Sequence, residues 1–232
     1  MVDVDEVVEE EGGGKREDIQ IWDNSPTLIG EVKGISYYPS DEDALTVQKY
    51  VILRMREWDT REVQGLTIIN HQKNLPPLER ENTMPFRQEI LDNAKEQQIG
   101  LITTWDLHRL ARSYLRNGWE HQNVRDLFYQ VGRIDPVPSH YEYAGTVQRY
   151  MEVGEISVVG IEVESNAFRK GDRIAFELPV FFEEQVCESL ELDNEPIEQA
   201  DPDMLVAVKT HLSEEQAQSG TRVFRILDEE ET

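Results

Sequence analysis

Two short strand-like runs flanking a turn segment constrain this chain more tightly than any other feature. Asp18-Ile-Gln-Ile-Trp22 alternates as a strand does, and Leu28-Ile29-Gly30 leads an apolar run into Glu31-Val-Lys33. Between them lies Asp23-Asn-Ser-Pro-Thr27, a concentration of turn formers. Side chains on a strand alternate between faces, so Glu31 and Lys33 project together. Closing the hairpin about its turn brings Asp18 opposite Glu31, and two carboxylates and an ammonium gather at one end of a sheet. That is the chemistry of a divalent-metal site that activates water against a phosphodiester. Asp23 lies in the turn, five positions away at about 3.3 Å each, on the order of 15 Å from Asp18. Asp18 and not Asp23 is therefore the expected partner of Glu31. The alternative is that Asp18, Glu31 and Lys33 are solvated charges on an exposed strand face.

At 232 residues the chain is long enough for one large domain or two small ones. No apolar run approaches the length that spans a bilayer, and no basic start precedes an apolar stretch, so a soluble, cytoplasmic protein without membrane contact is expected. Cys187 is the single cysteine, which excludes an internal disulfide or a cysteine-based zinc site. His71, His108, His121, His140 and His211 are scattered without metal-ligand spacing. The formal net charge is -24, from 47 acidic and 23 basic residues, the wrong sign for binding phosphate. Its distribution is uneven. Residues 1–134 carry 24 acids and 16 bases, a net of -8, and residues 135–232 carry 23 and 7, a net of -16. Lysine is scarce, 7 against 16 arginines. Such a surface suits molar salt, where the Debye length is about 3 Å, and a haloarchaeal-like composition is the reading. A protein that avoids nucleic acid is the alternative.

Val7–Glu11 is a candidate strand, followed by the Gly12-Gly-Gly14 loop. Ser40 is placed to cap a helix over Asp41–Trp58, whose stripe is Ala44, Val47, Val51, Met55 and Trp58. Gly65–Asn70 reads as a buried strand, and the loop through Pro76 and Pro77 carries Arg80. A helix near Arg87–Gln97, a strand at Ile99–Ile102 and a helix capped by Thr103 or Thr104 follow, giving an α/β layer with a mixed sheet. Trp119–Tyr129 is expected as a connecting helix, and Pro136 and Pro138 mark a linker. From Tyr143 onward short apolar runs recur between turn signals: Gly145–Val147, Ile156–Val163, Arg173–Leu178, Leu205–Val208 and Thr221–Ile226. That spacing suits a small antiparallel barrel. Asp228–Thr232 is expected to fray.

The first half resembles the restriction-endonuclease-like superfamily with the PD-(D/E)xK signature. The resemblance rests on Asp18, Gly30-Glu31-Val32-Lys33-Gly34, Gly65–Asn70, Arg80 with Phe86, and Leu101-Ile-Thr-Thr104, and covers most of residues 1–116. It implies a Mg²⁺- or Mn²⁺-dependent nuclease core with Asp18, Glu31 and Lys33 as catalytic residues. Asp18 and Glu31 would be metal ligands, the Val32 carbonyl a further one, and Lys33 would orient water or stabilise developing charge. Gln48 or Lys49, on the following helix, would add a polar group, with solvent exposure of both as the alternative. Arg80, Arg87, Arg109 and Arg112 are candidates for phosphate contacts, with an ordinary surface helix or loop charge as the equal alternative for each. The sequence departs from the pattern in having Glu17 where a proline usually precedes the aspartate. It also begins almost at the first strand, so the usual leading helix is expected to be missing or to lie upstream.

The second half resembles the β-barrel found as the second domain of translational GTPases. The residues are Gly145–Val147, Val158–Glu162, Arg169–Ile174, Glu188-Ser-Leu190, Glu195–Ala200 and Gly220–Phe224, with Asp201-Pro-Asp203 where such barrels place a glycine turn. It implies a binding or spacer module and no GTPase, since the chain has no phosphate-binding loop of that type. The expected fold is thus an α/β nuclease-like core with a mixed sheet followed by a small antiparallel β-barrel domain. Its bounds are 1–118 for the core, 119–136 for a linker helix and linker, and 137–227 for the barrel. The leading functional expectation is a metal-dependent nuclease or nuclease-derived DNA-processing protein whose barrel positions a protein partner. Cleavage of both strands would need two sites and so a dimer. The alternatives are a non-catalytic scaffold with a degenerate nuclease fold, or a translation- or RNA-associated factor acting through the barrel.

Overall fold

The computed structural model describes residues 2–4, 16–22 and 25–227. The expected Val7–Glu11 strand, the triple-glycine loop, Asp23 and the terminal Asp228–Thr232 lie outside the described residues. The chain divides into two compact units, Met1–Leu110 with Val124–Pro136, and Ala111–Asn123 with Val137–Thr232. No helix among the described residues is long and apolar enough to cross a membrane.

The first unit is built on a mixed sheet of six strands whose spatial order follows the chain. They are β1 (Val2–Val4), β2 (Ile19–Ile21), β3 (Thr27–Gly34), β4 (Val63–Asn70), β5 (Ile99–Thr103) and β6 (Gly132–Arg133). β1, β2 and β3 pair antiparallel, and β3 through β6 pair parallel. Parallel neighbours need crossovers, and helices supply them. α1 (Asp41–Leu45) and α2 (Gln48–Glu57) link β3 to β4, α3 (Gln88–Glu96) links β4 to β5, and α4 (Thr104–Asn117) follows β5. Seven of the eight residues of β4 are buried, as a strand covered on both faces requires. One face of the sheet, with Ile29, Val63, Ile69, Ile99 and Leu101, packs on Ala44, Val47, Val51, Ile90 and Ala94 of the helices.

The Asp41–Trp58 helix is interrupted. Ser40 caps α1 through a reciprocal box with Asp43, as expected, but the helix stops at Leu45 and resumes at Gln48. The Thr67 hydroxyl on β4 donates to the Ala44 carbonyl at 2.7 Å, the group an unbroken helix would offer to the Gln48 amide. The apolar stripe survives the break because Ala44, Val47 and Val51 are all buried.

Gly65 sets how closely this helical layer approaches β4. A Cβ there would lie 2.9 Å from Val47 Cγ1 and 3.2 Å from Ile99 Cγ1. Gly65→Ala is expected to destabilise the protein by about 1–3 kcal/mol through overpacking. Urea titration should show a lower midpoint with an unchanged slope.

Residues 119–136, expected as a linker helix and linker, fold into α5 (His121–Arg125), a 3-10 turn over Asp126–Tyr129, and β6. β6 completes the first sheet, with Ile134 buried beside it and its amide bonded to the Leu101 carbonyl at 2.9 Å.

The second unit holds an eight-stranded antiparallel sheet in the order β11-β10-β16-β7-β8-β15-β12-β13. The strands are β7 (Tyr141–Val153), β8 (Ile156–Val163), β10 (Arg173–Glu177), β11 (Phe182–Val186), β12 (Glu191–Leu192), β13 (Glu195–Pro196), β15 (Leu205–Thr210) and β16 (Arg222–Ile226). A separate pair joins β9 (Phe168–Arg169) to β14 (Gln199–Ala200). The sheet curls, because Gln185 on β11 donates to the Lys209 carbonyl and accepts from the Thr210 hydroxyl, both on β15. Enclosed within are Val147, Ile161, Phe168, Phe176, Val208 and Val223. The architecture is a barrel-like antiparallel region, as the recurring short runs imply. Asp203 takes the place of the expected glycine turn with φ 70°, in the left-handed region that aspartate tolerates better than most residues.

Candidate functional site

Backbone pairing in the first hairpin brings Asp18 alongside the strand that carries Glu31 and Lys33. Ile19 pairs with Gly30 and Gln20 with Ile29, and the Asp18 amide donates to the Gly30 carbonyl at 3.0 Å. The pairing stops at Ile19, and Asp18, one residue beyond it, is held against β3 by this bond to Gly30 and by the Val32 amide on its carboxylate. Gly30 permits the approach, since a Cβ there would sit 3.0 Å from Ile19 Cβ.

The two carboxylates differ in environment. Asp18 is exposed, and its Oδ2 accepts from the Val32 amide at 2.7 Å. Glu31 is 5% exposed. Its Oε1 accepts from Lys33 Nζ at 2.6 Å, while Oε2 is buried with no hydrogen-bond partner among the described residues. The strand neighbour of Glu31 on β4 is Thr67, whose hydroxyl is committed to Ala44. Among the described residues no group of three or more His, Cys, Asp or Glu could hold a metal ion. A metal here would rest on the pair Asp18 and Glu31 with backbone or water oxygens. The donor set fits a hard cation: both side-chain donors are carboxylates and one buried oxygen stands unsatisfied.

Lys33 holds its proton beyond the ordinary value of 10.5. Its hydrogen bond to Glu31 is the largest cause, the negative charges of Glu31 and Asp18 and the nearby Tyr50 add to it, and partial burial opposes it. A pKa raised on folding gives stability that is complete below the unfolded value and is lost as pH rises through the folded one. Lys33→Met is therefore expected to be less stable than the parent at pH 8, and the gap should close above pH 10.5. Paired urea melts at pH 8 and pH 11 measure it; a gap independent of pH refutes it.

The remaining expected residues fall differently. Gln48, at the start of α2, has a buried Oε1 without a hydrogen-bond partner among the described residues, and Lys49 is exposed with Nζ 4.4 Å from the Tyr50 ring centroid. Arg80 donates to Asn70 Oδ1 at 2.5 Å and to the Leu75 carbonyl at 3.0 Å, bracing the loop after β4. Arg87 stands exposed at the N-terminal end of α3. Arg109 Nη1 lies 3.8 Å from Asp106 Oδ1 in the first unit, and Arg112 lies 5.5 Å from the Phe181 ring centroid in the second.

Sequence reasoning missed what steadies Asp18. Glu17, only 2% exposed, accepts from Arg54 Nε at 2.6 Å, and Arg54 Nη1 also reaches Glu57 Oε2 at 2.5 Å. The signal was present: Arg54 lies seven residues after Val47 and three after Val51, on the apolar stripe where a charge needs a buried partner. A second polar group lies at the end of β5, where the Thr103 hydroxyl caps α4 by accepting from the Asp106 amide at 3.0 Å. Burial raises the pKa of Asp106, against the pull of Arg133, Thr103 and Arg109, and burial lowers that of His71.

Compared with protein families, and with curated proteins, the chain matches none. Among solved structures it is similar to the C-terminal domain of a U32 peptidase of Geobacillus thermoleovorans, at 24% identity and a TM-score of 0.30, over 36% of this chain and 91% of that one. It is also similar to a bacterial selenocysteine-specific elongation factor, at 11% identity and a TM-score of 0.33, over 70% of this chain and 26% of that one. At these scores neither likeness bears on activity.

Proposed function

We propose that the first unit is a metal-dependent nuclease or nuclease-derived DNA-processing domain that hydrolyses phosphodiesters with metal-activated water. One observation carries the reading: Glu31 is buried, gives one oxygen to Lys33, leaves the other unsatisfied, and lies on the strand against which Asp18 is held by the Val32 amide. An unpaired buried acceptor costs about 1–3 kcal/mol, more when charged, so a site that keeps one calls for a ligand. Asp18 and Glu31, with the Val32 carbonyl, would hold Mg²⁺ or Mn²⁺. When bound, such an ion lowers the pKa of a coordinated water and neutralises phosphate charge.

The chain's own groups define the rest. Lys33, charged at every physiological pH, acts as a fixed cation beside the reacting phosphate and not as a base. Glu31 fixes that ammonium in place, and the Val32 amide fixes the Asp18 carboxylate. The antiparallel β1-β2-β3 arm followed by parallel strands and helical crossovers is consistent with the nuclease-like expectation. In this reading DNA is the substrate, and the second unit is a barrel module that positions a protein partner.

Supercoiled plasmid incubated with Mg²⁺ or Mn²⁺ should be nicked, and Asp18→Asn and Glu31→Ala should each remove the nicking. Persistence of nicking in Glu31→Ala, or its absence from the parent in both metals, rejects the proposal in favour of a non-catalytic scaffold.

A further inference from the structure

We propose that a cavity at the C-terminal end of α2 binds an acidic segment of a partner protein, Arg56 and Arg61 taking its carboxylates and Ile52 and Met55 an aliphatic side chain. The proposal goes beyond the nuclease reading and does not depend on it. The cavity measures about 470 Å³ and is lined by Ile52, Met55, Arg56, Asp59, Thr60 and Arg61. Ligand pockets commonly hold about 300–1,000 Å³. The way the helix ends shapes the site. Asp59 takes φ 50°, in the left-handed region that stops a helix and that aspartate tolerates. The Trp58 amide donates to the Arg54 carbonyl at 2.9 Å and the Thr60 amide to the Met55 carbonyl at 3.1 Å, so these carbonyls of the last turn are satisfied. Beyond the turn, the Glu62 amide donates to the Thr60 hydroxyl at 3.1 Å, and the Glu62 carbonyl accepts from the Thr27 amide at 2.9 Å. Arg61 thus rises from a backbone pinned on both sides and lines the same cavity as Arg56 of the last helical turn.

The local charges select the ligand. Between Arg54 and Glu62 the sequence holds Arg54, Arg56, Glu57, Asp59, Arg61 and Glu62. Three of these are committed: Arg54 holds Glu17 and Glu57, and Glu62 accepts from the Ser25 hydroxyl. The other three, Arg56, Asp59 and Arg61, are exposed and line the cavity, and none makes an ion pair among the described residues. The uncommitted charge is therefore two guanidiniums against one carboxylate, in a chain with 47 acids and 23 bases. A guanidinium fork matches the planar carboxylate, which it can hold through two parallel hydrogen bonds. A phosphate dianion would meet Asp59 with twice the charge, and it offers nothing to Ile52 and Met55. An acidic segment carrying an aliphatic residue satisfies both halves of the lining. Long-range repulsion from a chain of net charge -24 opposes such a ligand, and salt removes it. At molar salt the screening length is about 3 Å, so contacts at hydrogen-bond distance outlast repulsion from distant carboxylates.

The test is fluorescence anisotropy of a labelled Glu-Leu-Glu-Leu-Glu peptide, beside its Gln-Leu-Gln-Leu-Gln counterpart, against the full chain in about 1 M NaCl. The acidic peptide should bind about tenfold more tightly than the neutral one. Arg56→Ala and Arg61→Ala should each weaken it about tenfold, the equivalent of one charge-assisted contact. Both arginines are exposed and unpaired among the described residues, so these variants should fold as the parent does. Ile52→Ser should weaken the peptide about threefold through lost apolar burial. Asp59→Asn, which keeps a residue suited to the left-handed turn, should strengthen it by removing the one opposing charge. Equal affinity for the two peptides, or acidic-peptide affinity unmoved by both alanine variants, overturns the proposal. Displacement of the peptide by inorganic phosphate together with indifference to Ile52→Ser also overturns it and makes the cavity a small-anion site.

Discussion

Arg54→Ala is expected to lower the free energy of unfolding by about 3–5 kcal/mol, because it strands the Glu17 carboxylate in the interior without a counterion. Glu17 and Arg54 are 2% and 5% exposed, so neither charge can turn to water in place. One Glu17 oxygen accepts from Arg54 at 2.6 Å, and the other has no hydrogen-bond partner among the described residues. For a protein of this size the loss corresponds to a fall in Tm on the order of 10 °C. Thermal unfolding by circular dichroism measures it. Replacing both partners at once, Glu17→Gln with Arg54→Met, should cost less than the two single changes added together, since the buried charge is removed along with its counterion. A double variant as unstable as that sum would mean that the pair contributes through packing alone. The pair also bears on chemistry. Glu17 precedes Asp18 directly, so weakening its anchor should reduce metal-dependent nicking before the protein unfolds.

The second large effect has the opposite profile. Glu31→Ala is expected to reduce nicking by about 10³-fold or more, the equivalent of roughly 4 kcal/mol of lost charge stabilisation in the transition state. Stability should stay within about 1 kcal/mol of the parent, because a salt bridge with a part-exposed partner contributes little. Lys33, whose side chain is 30% exposed, can return its ammonium to water when Glu31 is gone. Initial rates of plasmid nicking beside a thermal melt separate the two. A drop in rate accompanied by a fall in Tm as large as that of Arg54→Ala would assign Glu31 a structural role.

These two carboxylates illustrate what could be read from the sequence and what could not. The hairpin that carries Asp18 alongside β3 followed from strand alternation and a turn, both local rules; which residue lies directly opposite Glu31 did not, because the pairing ends at Ile19 and the Asp18 amide bonds Gly30. The helical stripe through Val47 and Val51 was equally local. Its interruption was not, because the cause is a hydroxyl on β4, more than twenty residues away, taking the Ala44 carbonyl. β6, β9 and β12 to β14 are two residues each, too short for any periodicity, and exist only because a neighbouring strand supplies their partners. Arg80 looked available in a loop, yet its guanidinium is occupied by Asn70 and by backbone carbonyls. The Glu17 and Arg54 pair, separated by 37 positions, could be suspected from an arginine on an apolar stripe but not assigned a partner.

The partition of the chain has a practical consequence for anyone wishing to isolate either half. The boundary crosses α4 between Leu110 and Ala111, and the chain returns to the first unit for Val124–Pro136 before leaving it again. Within the second unit, Ser113 Oγ accepts from the Phe182 amide at 3.0 Å and Trp119 Nε1 donates to Glu184 at 2.9 Å. A gene cut at residue 137 would strip the barrel of both anchors and one at 118 of the Ser113 anchor, and a cut at 110 would rob the first sheet of its sixth strand. Neither product should express as a well-behaved fragment, so interdomain dissection is better attempted by point substitution than by truncation.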